Sequence, residues 1–121
     1  MKFYLSIFSL LPFFSLLGIS SERHYQKIFA EENKGLIEVP MSDGTRCDVL
    51  TEKHAIEVDF ATKGAEAIGQ SLNYARLTGK KAGIVLLIKQ NKEEKHLKRL
   101  DQIIQLYDLP IDVFPTFIGL R

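Results

Sequence analysis

Glu57 and Asp59 stand two residues apart in an alternating run, so both side chains leave the same face of one strand, and Asp48 belongs to the strand expected beside it. Carboxylates that close repel one another unless a cation or a basic side chain neutralises them. Hard divalent cations bind such oxygen clusters, and magnesium is held by one or two carboxylates while waters and phosphate oxygens fill its octahedron. The same alternation also describes the solvated face of a one-sided antiparallel sheet, with Arg46 and Lys63 as neutralising partners. The two readings differ in whether the acids are sheltered.

The elements that must position these residues follow from punctuation and periodicity. Residues 21–34 place Tyr25, Ile28 and Phe29 on one helical face, with Ser21 or Ser20 as N-cap and Gly35 as the stop. Residues 36–41 form a short apolar strand ending near Pro40, and Ser42-Asp43-Gly44 turns it back into residues 45–50. In that second strand Cys47 and Val49 alternate against Arg46, Asp48 and Leu50. After a turn at 51–54, Ile56, Val58 and Phe60 point one way and Ala55, Glu57 and Asp59 the other. A helix over 63–78 ends at Gly79, and the continuous apolar run 81–89 reads as a strand buried on both faces. A helix over 92–108 and a short strand at 111–114 close the chain. The expected fold is α/β, a mixed sheet flanked by helices.

The chain has 121 residues, 45% hydrophobic and 26% charged, enough for one domain and too little for a large enzyme. Residues 1–20 carry a single charge, Lys2, ahead of an apolar stretch that ends in small residues, the three-part pattern of a secretory signal. The expected organisation is therefore a signal peptide at 1–20, cleaved after Ser20, and one exported domain at 21–121. An uncleaved N-terminal membrane anchor is the alternative, and no span is expected in the mature chain. Cys47 is the only cysteine, which excludes an intramolecular disulfide. Without Lys2 the formal charge falls from +1 to zero, so any polyanion site must be a local patch.

The segment GTRCDVLTEKHAIEVDFATK resembles the core of the PD-(D/E)XK nuclease superfamily, whose restriction endonuclease-like αβββαβ core has the element order read above. The resemblance implies that Asp48 and Glu57 are the signature acids, and that with the Val58 carbonyl they hold magnesium or manganese. The family lysine falls at Asp59, and Lys63 is the nearest candidate to replace it. A lysine is unfavourable in a first helical turn, which suits a role near an anion. Gln70 and Tyr74 match the Q-x-x-x-Y feature of the RecB-like branch. Lys63, Glu66, Gln70 and Tyr74 share a stripe within about 80° of the helix surface, opposite Ala65, Ile68, Leu72 and Ala75. That polar stripe is expected to close a cleft. Many members carry a glutamate on the first helix, for which Glu31 or Glu32 is available.

The expected function is thus metal-dependent cleavage of DNA or RNA, with a catalytically silent binding or partner module as the alternative. A homodimer is expected of a double-strand cutter. His24, His54 and His96 share no metal-ligand spacing and read as surface residues, and Cys47 as a small core residue. The lysines between 89 and 99 are interleaved with acids and read as a solvated helix face.

Overall fold

The computed structural model describes residues 21–89 and 91–119; the signal peptide expected at 1–20 lies outside them. The first helix, α1 (Glu22–Asn33), begins where the Ser21 hydroxyl accepts the His24 N–H at 3.3 Å, and its terminal residue Lys34 turns left-handed at φ 54°. The stop is thus Lys34 rather than Gly35. Gly35 is needed for close approach instead, since a Cβ there would lie 3.0 Å from the Leu50 carbonyl oxygen and 3.1 Å from Val49 Cγ1.

β1 (Leu36–Pro40) and β2 (Arg46–Leu50) form the hairpin, followed by β3 (His54–Phe60). A 3-10 turn (Ala61–Lys63) leads into α2 (Gly64–Thr78), then β4 (Lys81–Ile88), a second 3-10 turn (Asn91–Glu93), α3 (Glu94–Leu106) and β5 (Ile111–Phe117). The last helix is shorter than its periodicity predicts because its first residues wind as the 3-10 turn. β5 is longer than 111–114 because it pairs in parallel with β4 through Ile88↔Phe117.

The strands lie in the order β1-β2-β3-β4-β5, antiparallel as far as β3 and parallel from β3 to β5. On one face Ile84, Leu86 and Ile88 of β4 pack with Ala67 of α2 and Leu100 and Ile104 of α3. On the other, Val85 and Leu87 pack with Phe29 and Ala30 of α1, together with Val58 and Phe114. β4 is buried on both faces, as its unbroken apolar run requires. At the starts of the parallel strands, His54 Nε2 lies 2.8 Å from Asp112 Oδ2, and Lys81 Nζ lies 3.0 Å from Asp112 Oδ1. The His54 side chain is only 13% exposed, so it is not a surface residue; it ties β3 to β5 across β4.

Candidate functional site

β2 is hydrogen-bonded in register with β3 only at Val49↔Ile56 and Leu50↔Ala55. Beyond Val49 the ladder stops, and Asp48 fills the gap. Its Oδ2 accepts the Val58 N–H at 2.8 Å, so a side-chain oxygen serves where a strand carbonyl would otherwise bond. Across the hairpin, between the pairs Ile37↔Val49 and Val39↔Cys47, Glu38 adopts a left-handed φ of 54°. This irregularity overturns the simple alternation expected of β2. Val49 packs with Ile56 and Val58, whereas Cys47 packs with Ala55 and Tyr74. Cys47 is a core residue as expected; burial pushes its thiol up to about 11.

β3 itself keeps strict alternation. Ile56 and Val58 enter the core under α1, and Glu57 and Asp59 turn the other way, into a cleft of about 760 Å³. Asp48, Glu57 and Asp59 line it from the sheet, and Lys63, Gln70 and Tyr74 line it from the 3-10 turn and α2. The Val58 side chain is buried in the core and its N–H is taken by Asp48. Helix α2 resolves the conflict between its two stripes by burying Gly64, Ala67 and Ser71, which lie between them, together with Tyr74 at the edge of the polar one. Ile68, Leu72 and Ala75 then pack toward the core shared with α3, while Gln70 borders the cleft.

Shelter decides against the solvated-face reading: Glu57 is 6% and Asp59 5% exposed. Burial pushes the Glu57 carboxyl far above the usual carboxylate range, and the Asp48 charge adds to the shift. Burial likewise raises Asp48, against the Val58 N–H that stabilises its charge. Asp59 is raised by burial and then by the neighbouring Glu22 carboxyl. Burial, with the nearby Glu57 charge, holds the Tyr74 phenol protonated.

The glutamate that α1 brings to the cleft is Glu22, not Glu31 or Glu32. Glu22 borders the cleft, and its Oε2 is buried without a hydrogen-bond partner; Glu31 and Glu32 are exposed near the other end of α1. The helix brings its first turn, not its last, to the border of the cleft. The acidity of Glu22 alone did not mark it for the site, because any helix start favours negative charge. Arg46, read from sequence as a neutralising partner of the acids, and Asn73, which had no sequence signal, also line the cleft wall.

No three His, Cys, Asp or Glu side chains among the described residues come close enough to share one metal ion. Asp48 and Glu57, on neighbouring strands, line the cleft together. A pair suffices for magnesium, whose remaining ligands are waters and phosphate oxygens. Glu57 Oε1 is moreover a buried acceptor that no donor satisfies, so the donor set suits a hard cation.

Fold and site together define an α/β domain whose five-stranded mixed sheet carries a buried carboxylate cleft beneath a crossover helix. Compared with protein-family models, with curated proteins and with solved structures, the chain matches none. Among the described residues no helix is long and apolar enough to cross a membrane.

Proposed function

We propose that the protein is a divalent-metal-dependent nuclease of the PD-(D/E)XK type, hydrolysing phosphodiester bonds of DNA or RNA. The observation that carries this reading is the convergence of Asp48, Glu57, Lys63, Gln70 and Tyr74, named from sequence alone, on one sheltered cleft. Asp48 and Glu57, with the Val58 carbonyl, would hold magnesium or manganese; the ion supplies Lewis-acid polarisation of the phosphate and a lowered pKa for an attacking water. Each residue then has a task. The Val58 N–H fixes the Asp48 carboxylate, leaving Oδ1 for the ion. Tyr74 stands beside Glu57 on the cleft wall. Lys63, exposed at the start of α2, stabilises the negative charge that develops on the phosphate, and Gln70 orders the polar wall.

The test is nicking of supercoiled plasmid and cleavage of single-stranded DNA and RNA with magnesium or manganese. Activity lost in Glu57→Gln by about a hundredfold or more is the expected result, the scale of losing an electrostatic group at a reacting centre. No cleavage of any of these substrates with either ion overturns the proposal. A second reading, a catalytically silent module that binds a partner through the same cleft, is favoured by one observation: an acid, Asp59, stands where the family pattern has its lysine.

A further inference from the structure

The bases and acids of α3 alternate along the chain, but the folded helix sorts them by side. Leu97, Leu100 and Ile104 turn to the core, and Lys95, Lys98, Arg99 and Gln102 share an arc of about 100° on the exposed side. Glu94 and Asp101 lie outside that arc, between Lys98 and the buried edge. Glu93 precedes the helix, and its Oε1 accepts the Lys89 N–H at 2.7 Å. Lys95, Lys98 and Arg99 form no ion pair among the described residues. The face they share therefore carries charge of one sign. Its place relative to the cleft matters as much. Arg99 and His96 line a narrow groove against Thr62, Gly64 and Ala65, and Lys63 of the same turn lines the cleft. Positive charge thus continues from Lys63 past Arg99 to Lys98 and Lys95, while Glu94 and Asp101 sit on the flank of α3 turned away from α2.

We propose that this face of α3 docks the phosphate backbone of a nucleic acid, outside the cleft and continuous with it through Arg99 and Lys63. With a formal charge of only +1, the chain attracts a polyanion through a local patch or not at all. Ammonium and guanidinium groups on an exposed helix reach backbone phosphates without reading bases. No Phe, Tyr or Trp lies between positions 94 and 102 to stack on a base, so the surface is indifferent to sequence. That the polyanion is a nucleic acid rests on the nuclease reading; the surface itself rests on the sorting of charge on α3.

The test is fluorescence anisotropy of a short labelled DNA duplex titrated with the full chain in chelator, where metal-dependent cleavage cannot consume the probe. Three phosphate contacts give the wild type a slope of log affinity against log salt of about −3. The α3 variant Lys95→Gln/Lys98→Gln/Arg99→Gln is expected to bind about tenfold or more weaker at low salt, with the slope reduced by about 2 or more, and Lys98→Gln alone reduces it by about 1. Glutamine keeps the helix propensity of the residues it replaces, and circular dichroism checks the fold. Lys27→Gln/Lys34→Gln/Lys53→Gln removes as much charge from exposed positions elsewhere and is expected to bind as the wild type does. No binding by the wild type at low salt, or equal losses in the two triple variants, overturns the proposal. Binding to phosphatidylserine vesicles without binding to the duplex also overturns it and makes the partner a membrane. Duplex binding lost in the α3 variant, with no cleavage by the wild type in magnesium or manganese, supports the surface while overturning the nuclease reading. Cleavage by the wild type, with equal duplex binding by wild type and α3 variant, does the reverse.

Discussion

At the scale of single residues, Asp48 does two things that can be separated. Its Oδ2 completes the hydrogen bonding of β3 by accepting the Val58 N–H, and its charge acts on Glu57 of the neighbouring strand. Asparagine keeps an acceptor for that N–H and removes the charge; alanine removes both. Asp48→Ala is therefore expected to be less stable than Asp48→Asn by ~1–3 kcal/mol in metal-free solution, the cost of an orphaned buried donor. Urea denaturation of the two variants side by side measures it. Equal midpoints would mean that Val58 finds another partner. The identities of the cleft acids on the strands were readable because alternation survives in β3 even where its neighbour departs from it. Glu22 was not, because which turn of a helix lies over which strand is set by packing of Phe29 and Ala30 against the sheet, a tertiary fact.

At the scale of elements, the cleft depends on β3 keeping its seat against β4, and Gly83 is what permits that seat. A Cβ at Gly83 would stand 2.7 Å from Ile56 Cδ1 and 3.2 Å from Phe114 Cε2, inside the core beneath α1. Gly83→Ala is expected to cost ~1–3 kcal/mol by overpacking. A lowered urea midpoint with unchanged slope checks it, and an unchanged midpoint would show that Ile56 repacks freely. The order of helices and strands was legible from periods of two and of about 3.6 residues, and the parallel half from the apolar run of β4. The break in β2 was not. TRCDVL alternates as a regular strand would, and only the loss of pairing beyond Val49 sends Cys47 and Val49 to different clusters. The Asp43 turn, fastened to α2 by Asn73 Nδ2 at 2.9 Å, holds the hairpin in that bent course.

At the scale of the whole molecule, the buried acids set how stability depends on pH. Asp48, Glu57 and Asp59 all titrate above the usual carboxylate range in the folded chain, chiefly because they are buried. In the unfolded chain they release their protons near pH ~4. Between those limits the folded state binds more protons than the unfolded one, so stability falls as pH rises. Asp43 and Asp112 act in the opposite sense. Hydrogen bonds from Thr45 and Asn73 hold Asp43 down at about 2, and those from His54 and Lys81 outweigh burial to lower Asp112. Their contribution is present above pH ~4 and is lost as pH falls below it. The metal-free chain is therefore expected to be most stable on the acid side of the usual range of about pH 5 to 8, with its melting temperature declining across that range. On the proposed reading magnesium or manganese would bind only the ionised carboxylates, so the stabilisation expected from either ion grows as pH rises and offsets the decline. Melting curves in chelator and in manganese across the same range test both slopes at once. A metal-free melting temperature that stays level or rises from about pH 5 to 8 would mean that the cleft acids carry their charges without help, and would remove the physical need for a cation there.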